Sequence, residues 1–486
     1  MSGPPLGFHD TFTEQGLWWR RGYEEDKVGG TLSFDPIHGV TLKLLGIFGD
    51  LVGDLFCERA LCSGGGESSE KQVIYGVTIN GKPITLLKSF RKNRQVSMPG
   101  IPTESWFANL LIVGIHMDSE TDENRFTKSA IRFEGIEKWL GHNAFVTEID
   151  RDTRQVSVTT TQSSPQFFAK HRDFEVHVEG TWHKSEPTAS KCIIDVETFL
   201  AISPLEARSL DWHFEQTQKL RELASLCAGY DLPLISLKVS GPPFQTVGEK
   251  EYPTTAHVFA KMRDNTKQGR DRFWLPIISG PELVRYSPNS LQVWFDQYET
   301  LSSTLSLFFT VNANNDLLTN VRFLLAIQAL EAFHRQTDDT TILPREDFRK
   351  FRDDWIAALP SDAPQEMRDK FSDTAMYSNE LSLKMRLASI IKSITDAFEI
   401  APVRFEQSDI NQLVDTRNYF THFNPKLSER SLDGLGMHYG TRRILMLLTI
   451  LFFRRLDVPA TDIKNSLRRH EEFWSLWSDP NIGKQN

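Results

Sequence analysis

The sequence predicts an α+β multidomain protein with a β-rich N-terminal domain, a mixed middle region and an all-α C-terminal helical bundle. Three observations support this prediction. The chain has 486 residues, which is more than one ordinary hydrophobic core serves, so two or three domains are expected. Short segments bounded by turn sequences dominate the first part, and helical periodicity dominates the last part. We therefore expect domains at 1–200, 201–287 and 288–486.

The composition is typical of a globular protein, with 40% hydrophobic and 24% charged residues. Four cysteines are too few for a disulfide framework in a chain of this length, which fits a reducing compartment. The first residues lack the basic and apolar regions of a signal peptide, so we expect a cytoplasmic protein. The formal net charge of −9 argues against general binding to nucleic acid, so any RNA site must be local.

Paired β-strands are predicted throughout the N-terminal domain. Two segments flank the turn-like sequence 35–39, and two more flank Asn80-Gly81, a strong signal for a β-hairpin. These four segments are 31–34, 40–44, 73–79 and 83–88. Between the two pairs, residues 62–69 have the Gly- and Ser-rich composition of a loop. A continuous apolar stretch predicts a central strand at 106–117, and alternation predicts another strand at 174–178.

Helical periodicity begins at 204–228, and the region 229–287 combines short strands with many Pro and Gly residues. From residue 290 onward nearly every segment predicts a helix. The predicted helices are 290–311, 320–335, 345–359, 379–398, 408–422, 440–456 and 461–477. The longest apolar run, 444–453, has about half the length that a bilayer requires. It therefore predicts a buried core helix, and we expect no membrane contact.

Nothing in the sequence indicates a cofactor. There is no Gly-x4-Gly-Lys-Ser/Thr loop, so ATP or GTP hydrolysis has no support. Cys57 and Cys62 could suggest zinc together with His38, but no second cysteine pair follows at zinc-finger spacing. We interpret them as loop cysteines without a metal.

An arginine and a histidine five positions apart, Arg417 and His422, form the most informative pattern in the chain. Arginine is permanently charged and can bind a phosphate through two parallel hydrogen bonds. Histidine is the side chain whose proton moves most easily near neutral pH. Together they suit phosphodiester cleavage without a metal. The same spacing occurs twice more, at Arg172/His177 and Arg208/His213.

The two other pairs have less suitable contexts. The first lies in a segment that alternates as a strand, where successive side chains take opposite faces. The second lies on a predicted helix among acidic residues that would repel a phosphate backbone, namely Glu206, Asp211 and Glu215. We interpret the first pair as part of an exposed edge strand and the second as a solvated helical face.

The helix that carries Arg417 has recognisable ends. Ser408 and Asp409 predict an N-cap followed by an acidic first turn. Pro425 disfavours helical geometry at the residue before it, so the helix should stop near His422. The Arg417 pair is therefore expected at the C-terminal end of an amphipathic helix.

The angular positions on this helix suggest that one copy of it is not a complete site. Asn418 and His422 share a face, whereas Arg417 and His422 lie roughly 140° apart. One helix therefore does not easily hold a phosphate with both side chains. Two copies packed across a symmetry axis would do so, which predicts a homodimer.

These residues resemble a known family. Arg417-Asn418-x-x-x-His422 is similar to the R-(polar)-x-x-x-H signature of HEPN domains, helical bundles found in many prokaryotic RNases. Residues 322–331 resemble an earlier helix of the ApeA-type HEPN domain. The N-terminal half resembles the ApeA N-terminal domain, so the resemblance extends over most of the chain. The matching N-terminal blocks are 16–19, 30–34, 42–46, 76–87 and 107–116.

The resemblance implies an anti-phage defence protein that acts by abortive infection through a HEPN ribonuclease. Such a domain cleaves RNA without a metal, by attack of the ribose 2′-OH on the adjacent phosphate, which restricts the substrate to RNA. Structured RNA such as tRNA is one candidate. His422 would be the general base or acid, and Arg417 would stabilise the charge of the transition state. Asn418 would orient the imidazole or hold a phosphate oxygen. The β-rich half would sense a phage-derived trigger or regulate the nuclease.

Two acidic residues are candidates for supporting this site. Glu331 falls on the apolar side of its predicted helix, and a buried carboxylate needs a partner, so we interpret it as a support for the motif helix. Asp415 either orients the site or faces solvent. Three basic pairs form solvated faces or line an RNA groove, namely Arg442-Arg443, Arg454-Arg455 and Arg468-Arg469. The alternative function is a catalytically silent HEPN module that binds a partner protein or RNA.

Overall fold

The computed structural model describes residues 7–49, 72–96, 99–118, 125–141, 145–160, 168–247 apart from 187 and 189, 250–261, 275–314, 316–338, 341–397 and 401–478. The chain divides into two compact units. Unit 1 comprises 1–225, 232–273 and 279–281, and unit 2 comprises 226–231, 274–278 and 282–486. The sequence predicted three domains, whereas most of the predicted middle region, 201–287, lies within unit 1 and contributes residues 234–247 and 250–260 to its sheet.

Unit 1 is built mainly from one large antiparallel sheet. Its described strands are β1 (Phe12–Arg20), β2 (Val28–Asp35), β3 (Gly39–Leu45), β4 (Gln72–Thr78), β5 (Pro83–Gln95), β6 (Thr103–Val113), β7 (Lys128–Phe133), β8 (Phe145–Asp150), β9 (Gln155–Thr160), β10 (Phe168–Lys170), β11 (Phe174–Lys184), β12 (Ile194–Pro204), β13 (Leu234–Val247) and β14 (Lys250–Ala260). All except β8 and β9 belong to the large sheet, and those two pair only with each other. The strands predicted at 31–34, 40–44, 73–79, 83–88, 106–117 and 174–178 are confirmed.

Six of these strands close into a barrel. Their order is β6-β3-β2-β1-β4-β5, and β5 pairs with β6 to complete the ring. Alternating side chains fill its interior, including Trp18, Phe34 and Leu42, each of which is fully buried. Gly76 lies directly opposite Trp18 in the ladder, and a Cβ on Gly76 would lie 2.2 Å from the indole ring. Glycine at this position therefore makes room for the largest side chain of the core.

The remaining strands extend the sheet from the same β6. The C-terminal part of β6 pairs with β14, and the order continues β14-β13-β7-β12-β11-β10. The middle region thus supplies two long strands where the sequence predicted short ones. Helix α1 (Ile136–Leu140) follows β7, and helix α2 (Leu210–Ala228) follows β12. The helix predicted at 204–228 begins only at Leu210, because β12 continues to Pro204.

Unit 2 is helical. Its described helices are α3 (Gly280–Tyr286), α4 (Ser290–Ala313), α5 (Thr319–Thr337), α6 (Arg345–Ala357), α7 (Gln365–Tyr377), α8 (Leu383–Ala397), α9 (Gln407–His422), α10 (Gly434–Arg455), α11 (Ala460–Arg469) and α12 (Glu471–Ser478), with short 3-10 helices at Ala401–Val403 and Pro425–Arg430. The single helix predicted at 461–477 is two helices, which meet at His470. Helix α7 was not predicted, because only Ala375 of its residues is buried and its apolar periodicity is weak.

Helix α10 forms the centre of the bundle. Every residue from 444 to 453 is buried, which confirms the predicted core helix. Phe452 packs edge-on against Phe308 of α4 and Phe333 of α5. Among the described residues, no helix is long and apolar enough to cross a membrane. The α+β class is confirmed, and α9 packs on this bundle beside α5 and α8.

Candidate functional site

The N-terminal end of α9 is fixed by a capping box. The N-cap is Glu406, not the predicted Ser408, and Asp409 at N3 accepts a hydrogen bond from the Glu406 N–H at 3.1 Å. The Asp409 carboxylate also pairs with Arg443 of α10, whose nitrogen lies 3.4 Å away. These reciprocal contacts satisfy backbone donors that a helix start leaves unpaired. They fix the residue at which α9 begins.

Arg443 anchors this helix start in the bundle. It is only 7% exposed, so it does not belong to a solvated face as its basic pair with Arg442 suggested. Its guanidinium donates to the carbonyls of Pro402 and Arg404, each at 3.0 Å, and its carbon lies 4.0 Å from the centroid of the Phe405 ring. Burial lowers the pKa of Arg443, and the Asp409 carboxylate opposes that shift.

The C-terminal end of α9 lies at His422, as the position of Pro425 predicted. Phe423 takes the left-handed conformation, with φ 52°, and its N–H donates to the Tyr419 carbonyl at 2.6 Å. The Asn424 side chain then caps the 3-10 helix that starts at Pro425. The chain returns to α9 where the Leu432 N–H donates to Thr416 Oγ1 at 2.9 Å. His422 therefore sits at a closed, well-defined helix end and is itself exposed.

Arg417 lies five positions before His422 and forms an ion pair with Glu331 of α5. Its side chain is 33% exposed, and its NH2 nitrogen lies 3.9 Å from a Glu331 oxygen. The NH1 nitrogen donates to Asn418 Oδ1 at 3.1 Å. The side chain is thus oriented from two directions, while part of the guanidinium faces solvent. Glu331 is half-buried, and its contact with Arg417 joins α5 to the motif helix.

Glu331 belongs to a longer chain of ion pairs that the sequence prediction missed. Arg335 contacts Glu331 at 3.2 Å and Glu380 at 2.9 Å, and Glu380 contacts Arg386 of α8 at 3.5 Å. Burial and then the charge of Arg335 lower the pKa of Arg386. The pairing of Glu331 with Arg335 has the i,i+4 spacing that could have revealed it. The other links join residues far apart in sequence, which no local pattern shows.

Other polar residues near the motif have clear positions. Asp415 is half-buried, and no hydrogen bond or ion pair joins it to another residue in the described part of the chain. His334, three residues after Glu331 on α5, is 1% exposed, and burial lowers its pKa. A neutral, enclosed imidazole is not placed to exchange protons with a substrate. His422 is therefore the better candidate for acid–base chemistry in this part of the bundle.

The competing arginine–histidine pairs have structural explanations. His213, expected on a solvated helical face, is fully buried in unit 1. Its ring nitrogens contact Ser129 Oγ at 3.0 Å and the Phe126 carbonyl at 3.3 Å, and burial lowers its pKa to about 4. The solvated interpretation was wrong, since this histidine connects α2 to β7. His177 lies on strand β11 and contacts Glu179 at 3.0 Å. The edge-strand interpretation was wrong, since His177 is paired with Phe168 of β10 on one side and with Ala201 of β12 on the other.

The remaining predictions concern metals and basic pairs. Cys57 and Cys62 lie outside the described residues, and within the described ranges no cluster of three metal-binding side chains occurs. Arg469 pairs with Glu282 at 3.3 Å, and Arg454 donates to the Ser393 carbonyl at 3.3 Å. Both of these arginines have partners within unit 2. Neither contact indicates a groove for RNA.

A closed β-barrel unit, followed by a helical bundle with an Arg-x4-His helix end, defines a two-part protein of the HEPN class. Comparison with protein families agrees with this assignment. The model for ApeA N-terminal domain 1 matches residues 13–258, and the model for Apea-like HEPN matches residues 324–462. The chain therefore belongs to the ApeA family of anti-phage defence proteins with a HEPN nuclease domain. No curated protein and no solved structure matches the chain.

Proposed function

We infer that this protein is a metal-independent endoribonuclease whose active site lies at the end of α9. The observation that carries this inference is the arrangement of two side chains within the matched HEPN segment. Arg417 is partly exposed and held by Glu331, and the exposed His422 closes the same helix. An arginine and a histidine at one helix end are the residue types that suit the cleavage of a phosphodiester.

The proposed reaction begins at the ribose 2′-OH. His422 accepts its proton, the 2′-oxygen bonds to the adjacent phosphorus, and Arg417 stabilises the added negative charge. The bond from phosphorus to the 5′-oxygen then breaks, and that oxygen takes up a proton. The products are a 2′,3′-cyclic phosphate and a 5′-OH. DNA lacks the nucleophile, so the substrate is RNA, and tRNA is a reasonable candidate.

The angular offset on α9 supports a homodimer through the HEPN domain. Arg417 and His422 lie five positions apart, so their directions differ by roughly 140°. In a dimer with twofold symmetry, Arg417 of one copy would act with His422 of the other. The His422 imidazole that accepts the 2′-OH proton would then donate it to the departing 5′-oxygen.

The β-rich unit would control this nuclease in response to a phage-derived trigger.

One observation favours the second candidate function, a silent HEPN module that binds a partner. The hairpin β8–β9 lies outside the large sheet and exposes apolar side chains on one face. These are Phe145, Ile149, Val156 and Val158. Exposed apolar faces of this kind are typical of interaction surfaces.

Incubation of the purified protein with total RNA in EDTA separates the two candidates. Fragments with cyclic phosphate ends that disappear with His422→Ala and with Arg417→Ala are the expected result. Intact RNA together with retained RNA binding would support the silent module instead. Cleavage that persists in both variants would show that the site lies elsewhere. Because a trigger could be required, growth arrest on expression, relieved by His422→Ala, is measured in parallel.

A further inference from the structure

Phe423 directly follows the proposed catalytic histidine and has two energetically unfavourable features. It is a bulky residue with φ 52°, a conformation that large side chains rarely adopt. Its aromatic side chain is also 68% exposed. The residue directly follows His422, so its ring lies at the same helix end as the proposed active site.

The fold explains the backbone conformation of Phe423 but not its side chain. The left-handed turn is required because the Phe423 N–H closes α9 on the Tyr419 carbonyl and Pro425 begins a 3-10 helix two residues later. Where a helix ends in this left-handed conformation, glycine is the usual residue and asparagine an occasional one, since both tolerate the left-handed region. Within the described part of the chain, the Phe423 ring makes one aromatic contact, with Tyr419, at 6.2 Å between centroids. Packing therefore gives little reason for a phenylalanine here.

The surroundings of the ring match those of a site for unpaired nucleotides. Tyr419 is half-buried behind Phe423, so two aromatic rings lie at this helix end. The 3-10 helix that follows carries exposed Lys426 and Arg430 against a single acidic residue, Glu429. Aromatic rings that stack on bases, next to cations that bind the backbone, are the usual means of holding single-stranded nucleic acid.

We propose that Phe423 stacks on an unpaired RNA base next to the scissile phosphate and so selects single-stranded positions for cleavage. This rests on the proposed nuclease function of His422 and Arg417. Stacking holds the nucleotide while His422 acts on its ribose. It also explains why an exposed, strained aromatic residue occupies a position where asparagine would be easier to accommodate.

The test measures binding of the full-length protein to short oligoribonucleotides that carry 2-aminopurine at successive positions. Phe423→Asn keeps the left-handed turn and removes the ring, whereas Phe423→Trp keeps an aromatic surface. Phe351→Asn is the matched control, because Phe351 on α6 is 59% exposed and lies on a different helix. We expect Phe423→Asn to weaken binding about tenfold and to abolish the fluorescence change at one position. Phe423→Trp and Phe351→Asn should retain both.

The outcomes separate this inference from the proposed nuclease. Equal affinity and an equal fluorescence change in wild type and Phe423→Asn would overturn the stacking role, even if wild type cleaves RNA. Absence of oligonucleotide binding in wild type would also overturn it. Stacking without cleavage, by contrast, would leave the base-stacking role of Phe423 standing but overturn both the nuclease assignment and the selection of cleavage positions. If sedimentation shows that Phe423→Asn converts a dimer to a monomer, the ring packs against a second copy and the inference fails.

Discussion

The proposed composite site makes a quantitative prediction about mixed dimers. Arg417 and His422 differ in direction by roughly 140° on α9, so each active site would combine Arg417 of one copy with His422 of the other. Two mixed dimers contain the same two substitutions, but one has them in separate copies and the other has both in a single copy. One pairs an Arg417→Ala copy with a His422→Ala copy. The other pairs a wild-type copy with a copy that carries both substitutions.

The expected activities follow from counting intact sites. In the first mixed dimer, Arg417 of one copy meets His422 of the other at one site, and the second site lacks both, so about half of wild-type activity should remain. In the second mixed dimer each site lacks one of the two side chains, so activity should fall to background. A site completed within one chain gives the reverse pattern, with no activity in the first mixed dimer and about half in the second.

Differently tagged copies are co-expressed, and sequential affinity steps isolate each mixed dimer. Initial rates of cleavage are then measured on one RNA in EDTA, with wild-type dimers carried through the same steps. The wild-type rate gives the scale, and the doubly substituted homodimer gives the background. Half activity in the second mixed dimer, with none in the first, would refute the composite site.

Three further predictions concern residues that support the fold and the site. Arg443→Met removes a buried cation that holds two carbonyls and a carboxylate, so it should lower the free energy of unfolding in urea by about 3–5 kcal/mol. The exposed Arg430→Met control should change it by no more than about 0.5 kcal/mol. Glu331→Gln should lower kcat about tenfold, because Arg417 loses its charged partner. It should not raise KM, because the substitution removes a negative charge beside the substrate. An unchanged kcat would contradict the positioning role. Burial lowers the pKa of His213 to about 4 from its ordinary value of 6.5. The stability that comes from burying His213 in its neutral form is therefore complete above pH 6.5 and is lost as the pH falls toward 4. His213→Gln should therefore reduce the loss of stability between about pH 7 and about pH 5, and an equal loss in both proteins would exclude this cause.

The sequence was informative wherever local patterns decide the structure. The Asn80-Gly81 turn pairs β4 with β5, and the apolar run 444–453 became the core of α10. Pro425 ended α9 at His422. In each case the deciding interactions lie within a few residues, so the amino-acid pattern alone contains them.

The sequence was misleading where distant segments meet. His213 looked solvated because its neighbours on the helix are acidic, yet the chain buries it against residues 84 and 87 positions away. Arg443 looked like half of a surface pair, yet it holds carbonyls 39 and 41 positions away. A sequence shows the type of a side chain but not the partners that tertiary packing brings to it.

The sequence by itself determined the α+β class, with a β-rich first part and a helical last part, the strands with their turns, and the helix end that carries Arg417, Asn418 and His422. These features depend on periodicity, turn residues and proline, which act over short distances. Tertiary structure alone decided that β5 and β6 close the barrel and that β13 and β14 extend the same sheet. It also decided that Glu331 holds Arg417. The pairing of β6 with β14 and the contact between Glu331 and Arg417 join residues at least 144 and 86 positions apart, respectively, so only the packing of the whole unit selects them.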